Sequence, residues 1–527
     1  MYENESRSRL NNGDVILIVD FGSQYTHLIS QRIRSLGVYT EIISPDDINL
    51  APDILKNACG VILSGGPKSV LDEAYPSIEL SLIIKHELPI LGICYGHQLV
   101  AKYFGGVVKR GVKREYGPVI IERRESRLFT GVPVKFKVWM SHGDVVENVP
   151  EGFNAVAFTE YGNIAAMEKI DYPITTLQFH PEVKHTEYGT KILDNFIRFY
   201  TKCRRSWSPV NILDLLREEL KFLKNNKVIV GVSGGVDSTV TSVILRRIVG
   251  DDNVIPVFID TGLLRDGERE WVEKLYKDIL KFKSFFIYDA SKIFLENLAY
   301  VKDPEKKRRI FSETYIKVFE EVADRLKKLH GDIKYLAQGT LYPDCVESGV
   351  VSKYVDRIKS HHNVVIYGKH RFEIIEPLKD LYKNEVRVLA RKLNLPSEVY
   401  LRHPFPGPGL AIRIVGRVTK RKLEILRKAD KIVYEEVKKA NVYDKVWQAF
   451  PVLLSVKSVG IKGDVRSYEY IIVIRIVESE DAMTANFHKA SWELLERISK
   501  RILNEVEGVN RVLYDISNKP PATIEFE

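Results

Sequence analysis

From residue 14 the chain alternates short apolar runs with segments whose apolar residues return every three or four positions. DVILIVDFG (14–22), GVILSGGP (60–67), LPILGI (88–93) and ITTLQFHPEV (174–183) read as strands, and the stretches between them as helices. That alternation is the pattern of an α/β fold built on a parallel sheet. Charge, Pro and Ser interrupt it in YTKCRRSWSPVN (200–211), after which a helical stretch leads into a new strand, KVIVGV (227–232). Strand and helix alternate again through VIPVFIDTG (254–262), IKYLAQGT (333–340) and EPLKDLYKNEVRVLARKLNLP (376–396). RHPFPGPGLAIRI (402–414), dense in Pro and Gly, marks a second break, and the strand-like EYIIVIRIV (469–477) stands beyond it. The pattern predicts two α/β domains, 1–204 and 205–400, then a small α+β module over 401–527.

Composition narrows the setting. A chain of 527 residues, 45% of them hydrophobic, can bury several cores. The N-terminus is polar and no stretch approaches the roughly 18 apolar residues of a membrane span, so a cytoplasmic protein without a membrane partner is expected. The formal net charge of +9 comes from interleaved charges of both signs, 28% of residues, with no long basic block. Small anionic ligands fit that surface better than nucleic acid. Cys59, Cys94, Cys203 and Cys345 are scattered, which argues against a disulfide scaffold or a cysteine-rich zinc site.

One cysteine stands in a special frame. In ILGICYGHQL (90–99), Cys94 lies between Gly92 and Gly96 where a strand meets a helix, a turn that lifts one reactive side chain clear of the sheet. The N–H groups of the following helix favour a thiolate there. Alone, Cys94 fits a buried filler equally well. A thiolate attacking an amide also needs a base that protonates the departing amine, and FHPEV (179–183) offers His180 with Glu182 two positions on, which strand alternation would set on one face. Together these residues resemble the class I glutamine amidotransferases, over about residues 14–200. The resemblance makes Cys94, His180 and Glu182 a catalytic triad acting on L-glutamine. It draws the backbone N–H groups of Gly65, Gly66 and Tyr95 toward the oxyanion. Gln98, with MSHGD (140–144), would hold the substrate.

The second domain opens on GVSGGVDSTV (231–240), where N–H groups can cradle phosphate beside a helix N-terminus. The lysine of a Gly-x-x-x-x-Gly-Lys-[Ser/Thr] loop is missing, which argues against γ-phosphoryl transfer. The string resembles the loop of the ATP pyrophosphatases, which cleave ATP to AMP and pyrophosphate. The resemblance assigns ATP to Ser233, Gly234, Gly235, Val236, Asp237, Ser238 and Thr239. Asp237 would position Mg²⁺. QGTLYPDCVES (338–348) and IKSHHN (358–363) match the same family and bring in Lys359 as a phosphate contact. After HHN the chain runs VVIYGKHRFE, where many members carry a glycine pair.

The tail separates the relatives. RHPFPGPGLAIRI, VWQAFPVLLSVKSVGIKGDVRSYEY and SNKPPATIEFE resemble the C-terminal dimerisation domain of the glutamine-hydrolysing GMP synthases, and the order of domains agrees over nearly the whole chain. Membership implies a homodimeric ligase in which ATP adenylates XMP and ammonia from glutamine then displaces AMP to give GMP. It carries XMP contacts onto Arg265, Gln448, Asp464, Arg466, Lys519, Ile524 and Glu525, cations facing the phosphate of the nucleotide. Phe526 stands where the family usually has Trp.

Overall fold

The computed structural model describes residues 14–331, 333–344, 372–479 and 484–527. The chain divides into two compact units, the described residues up to Leu215 and those from Leu216 onward. Both are α/β, as the alternation predicts.

In the first unit nine strands form one sheet: β1 (Val15–Val19), β2 (Tyr39–Ile43), β3 (Ala58–Leu63), β4 (Ile90–Ile93), β5 (Val107–Arg123), β6 (Lys135–Asn148), β7 (Phe153–Thr159), β8 (Ile164–Lys169) and β9 (Ile174–Leu177). Their order is β2-β1-β3-β4-β9-β8-β7-β5-β6. β2, β1, β3, β4 and β9 run parallel and are buried on both faces, which is why they are mostly apolar, with β1 an unbroken run of Val, Ile and Leu. The rest is an antiparallel arm that the search for apolar runs passes over. β6 shows why: its first eight residues alternate exposed or half-buried with buried, the pattern of a sheet wetted on one side.

The scattered cysteines carried an expectation that the structure corrects. Cys59 at the start of β3 pairs with Cys203, 144 residues later, across a Cα separation of 5.3 Å. Sequence spacing cannot reveal a bridge that depends on where helix Gly189–Tyr200 returns to the sheet. Closing so long a loop stabilises the fold by about 5 kcal/mol in the chain-entropy account. Cys94 is a free, buried thiol, and Cys345 lies outside the described residues.

The second unit holds two sheets. Strands β10 (Val228–Gly231), β11 (Val254–Asp260), β12 (Phe286–Asp289), β13 (Tyr335–Ala337) and β14 (Glu373–Ile375) run parallel in the order β12-β11-β10-β13-β14. Strand order reverses beside β10, the place where α/β sheets open a crevice at their carboxyl ends. The other sheet joins β15 (Ile414–Val415), β16 (Gln448–Lys462), β17 (Val465–Glu478), β18 (Asn486–Phe487) and β19 (Val509–Tyr514), with helices Lys420–Lys439 and Trp492–Glu505 packed on it. One apolar core runs from Ile229 and Ile255 through Leu410 and Ile414 to Leu426 and Ile472. The Pro- and Gly-rich stretch at 402–414 is therefore packed rather than solvated, with Leu410, Ala411, Ile412 and Arg413 fully buried. Among the described residues no helix is long and apolar enough to cross a membrane.

Candidate functional site

Helix Tyr95–Tyr103 follows β4 with Cys94 as its N-cap, and Cys94 takes φ 53°, a left-handed conformation that costs a non-glycine residue of the order of 1–3 kcal/mol. Its N–H is bound to the Leu177 carbonyl at 2.7 Å. The flanking glycines serve closeness rather than positive φ. A Cβ on Gly92 would stand 2.7 Å from the Gly96 carbonyl oxygen, and one on Gly96 2.5 Å from that of Leu63. Only glycine lets strand and helix approach so nearly. The strained residue in the turn is the cysteine itself.

β9 ends at Leu177, so His180 and Glu182 stand in the turn beyond it and not on a strand face. They meet all the same, His180 Nδ1 to Glu182 Oε1 at 2.7 Å, both side chains buried. The turn is held from several sides: His180 N–H binds the Trp139 carbonyl at 3.0 Å and Arg32 Nε binds the Glu182 carbonyl at 3.2 Å. Burial alone would pull the His180 imidazole down, but the Glu182 carboxylate, and then the sulfur of Cys94, push it up to about 10. With Nδ1 engaged by Glu182, the second ring nitrogen is left for the thiol.

Cys94, Tyr95, Gln98, Gly66 and His180 line one cavity of about 770 Å³ together with Ser141–Asp144. Gly65 adjoins it, since a Cβ there would lie 3.1 Å from His180 Cε1. Gln98 Nε2 binds the Asp144 carbonyl at 2.9 Å and Gln178 Oε1 at 3.2 Å, so Gln98 braces the cavity wall from beneath. His142 of the same wall has its Nε2 2.9 Å from Glu115 Oε2, both side chains buried.

In the second unit β10 delivers Ser233–Gly235 to the N-terminus of helix Val236–Val249. Gly234 takes φ 72°, and a Cβ there would meet Val272 at 2.5 Å, so the loop requires glycine twice over. Ser238 and Thr239 fold back onto it: Ser233 N–H donates to Ser238 Oγ at 3.2 Å and Thr239 Oγ1 to the Gly235 carbonyl at 2.8 Å. Ser233, Gly235, Val236 and Asp237 line a cavity of about 340 Å³ with Lys383 and Arg402. Asp237 Oδ2 accepts from Lys383 Nζ at 3.1 Å, while its Oδ1 is buried without a hydrogen-bond partner. A carboxylate oxygen left in that state fits a cation. No cluster of three metal-ligating side chains occurs among the described residues. Lys359 lies outside them.

Of the residues assigned to XMP, three converge through two that sequence reasoning missed. Arg265 Nε lies 3.6 Å from Asp430. Arg413 grips Glu525 with two bonds, 2.8 and 3.0 Å, and Gln448 Nε2 reaches Glu525 at 3.3 Å. Ile524 is buried against Phe450 and Val452. Lys519 pairs its backbone with Ala485. Asp464 and Arg466 are elsewhere, at the turn of the β16–β17 hairpin. The 15-residue strand β16 begins at Gln448, so the turn is roughly 50 Å away at about 3.4 Å per residue. Lys383, Arg413 and Asp430 carry no local motif, and only the fold brings them to their partners.

Comparison with known proteins covers the chain in three parts. The family model "Glutamine amidotransferase class-I" matches residues 17–199, "NAD synthase" residues 209–310 and "GMP synthase C terminal domain" residues 435–526. Similar curated proteins, each named "GMP synthase [glutamine-hydrolyzing]", include one from Thermosipho melanesiensis, 49% identical over 97% of this chain and 99% of its own. One from Campylobacter jejuni is 50% identical over 97% and 99%, and one from Thermotoga maritima 47% identical over 97% and 100%.

Proposed function

The chain belongs to the glutamine-hydrolysing GMP synthase family, and from that premise we propose how its residues divide the work. The enzyme is a ligase that makes GMP from XMP with ATP, taking its nitrogen from glutamine. One observation carries the assignment of the first half: Cys94 and His180 open on one cavity, with Glu182 bound to the far nitrogen of the ring and the cysteine at positive φ.

Cys94 Sγ attacks the side-chain carbonyl carbon of glutamine, giving its proton to His180. The tetrahedral oxyanion is met by the N–H groups of Gly65, Gly66 and Tyr95. His180 passes the proton to the departing nitrogen, ammonia leaves, and the thioester is hydrolysed by a water that His180 deprotonates, releasing glutamate. Glu182 holds the ring and stabilises its charged form.

In the second unit Ser233–Thr239 bind the phosphates of ATP, with Lys383 adding positive charge. Mg²⁺, for which Asp237 has the free oxygen, would neutralise the departing pyrophosphate. Adenylation of XMP O2 makes that oxygen part of a good leaving group; ammonia attacks C2 and AMP departs. Arg265, Gln448, Lys519, Ile524 and Glu525 form the XMP site. The functional modules are 1–204, 205–400 and 401–527, and the cytoplasm is the compartment this chemistry implies.

A homodimer is supported by the far end of the β16–β17 hairpin. Val459, Ile461 and Tyr468 share a sheet face and are each at least half exposed. In such a dimer Asp464 and Arg466, remote from their own site, would serve the site of the second subunit.

The test compares the intact protein with Cys94→Ala in GMP formation from XMP, ATP and Mg²⁺. Activity with glutamine is expected to vanish in the variant while activity with ammonia persists. Loss of both in a folded variant would remove Cys94 from the amidase role.

A further inference from the structure

Three cations in the second unit, Lys307, Arg413 and Arg475, have no exposed surface, and all three grip the same segment, residues 515–527. Arg475 Nη1 binds Asp515 at 2.7 Å and the Ser517 carbonyl at 3.1 Å, while Nε and Nη2 bind the carbonyls of Ile524 and Thr523 at 2.9 and 2.8 Å. Arg413 holds Glu525. Lys307 Nζ pairs with Glu527 Oε2, and its remaining protons go to the carbonyls of Ile414 at 2.7 Å and Ala411 at 3.2 Å. The other oxygen of Glu527 accepts from Gly416 N–H at 2.9 Å, and Arg308 binds the Glu527 carbonyl.

The origins of these cations differ. Arg413 and Arg475 come from the same C-terminal module as the tail. Lys307 comes from helix Pro304–His330, which also presents Ser312, Tyr315 and Ile316 to the cavity beside the ATP loop. A buried ammonium stripped of its counter-charge is strongly unfavourable, so Lys307 selects the arrangement in which Glu527 is docked. Burial lowers the Lys307 ammonium and the Glu527 carboxylate draws it back up.

We infer that Glu527, through Lys307, is a positioning residue: it ties the tail that bears Lys519, Ile524 and Glu525 to the helix lining the nucleotide cavity, and so sets the XMP contacts in register with ATP. This rests on the reading of the tail as the XMP site. Glu527 itself lies two residues beyond that site and acts through its grip on the chain.

The experiment uses the full chain with ammonia as nitrogen source and follows KM for XMP, KM for ATP and the melting temperature in Glu527→Gln, in Lys307→Met/Glu527→Gln and in Lys519→Ala. The double variant removes both buried charges at once, so it is expected to fold even if the single one does not. The expected result is a rise in KM for XMP of about tenfold or more in both Glu527 variants, with KM for ATP held and kcat at saturating XMP changed far less. An unchanged XMP KM, or an equal rise for ATP and XMP, would overturn the inference. Lys519→Ala separates the two levels: if it raises KM for XMP while the Glu527 variants do not, the tail binds XMP and only the tie is wrong. If Lys519→Ala changes nothing, the reading of the tail falls and the inference with it.

Discussion

At the scale of single residues the proposed glutaminase would depend on a carboxylate with two tasks, orienting a ring and raising its proton affinity. Glu182→Gln keeps the shape and removes the charge that does most to hold His180 up, so burial pulls the imidazole down from its raised position. Glutamine-dependent GMP formation should drop by about 10²–10⁴-fold, with ammonia-dependent formation retained. The linkage has a definite sign. His180 is raised in the folded state, to about 10 from 6.5, so the stability contributed by the pair is complete below about pH 6.5 and is lost as pH rises through 10. The melting-temperature gap between the protein and Glu182→Gln should be widest at low pH and close above pH 10; a gap independent of pH would deny the charge its role. The proposed triad stands out in GICYGHQL and FHPE because its three members lie in two short strings, and the structure brings Cys94 and His180 to one cavity. His180 and Glu182 meet not by alternation along a strand but in a turn beyond β9 that brings both inward. Arg413, Asp430 and Lys383 were illegible because their partners are distant in sequence, as is the partner of Cys59.

At the scale of elements the legible parts are those buried on both faces. β1, β3, β4, β10 and β11 announce themselves as apolar runs, whereas the antiparallel arm from β5 to β8, wetted on one side, blends into the helical and loop background. At 402–414 the proline and glycine that mark a break in the strand–helix alternation belong to a segment that runs through the core. The β16–β17 hairpin is the converse case, a strand pair clear in the sequence whose far end leaves apolar side chains exposed. Ile461 is 75% exposed in a single subunit, so Ile461→Asp should leave the melting temperature of the folded subunit almost unmoved. In a dimer it would bury a charge at an apolar contact. Light scattering should then report a shift toward monomer, and KM for XMP should rise together with it, because Arg466 would no longer reach the second site. A monomer with normal XMP affinity would confine the hairpin to assembly.

At the scale of the whole molecule the order of the modules was readable along nearly the entire chain, because each carries its own motif: an elbow, a phosphate loop and a distinctive tail. What no motif states is how two chemistries in two compact units keep step. Ammonia made while the XMP site is empty is wasted, so the glutaminase should be slow alone and faster when ATP and XMP are bound. The chain leaving the first unit is tied back onto it. Arg204 pairs with Asp14 at 2.6 Å, Arg205 with Asp194 at 2.6 Å, and Trp207 packs on Tyr39 with its N–H bound to the Gly37 carbonyl at 2.9 Å. These ties reach the start of β1, β2 and helix Gly189–Tyr200, and β1 adjoins β3, which leads into Gly65 and Gly66. Glutamate release should be faster with ATP and XMP bound than without them, and the affinities of glutamine and XMP for each other's complexes should be coupled by about 5- to 150-fold. Reciprocity makes a second demand in the Cys94→Ala protein, where no turnover intervenes: glutamine should tighten XMP binding by the same factor by which XMP tightens glutamine. Equal release rates in the two conditions would mean that the units work side by side, uncoupled.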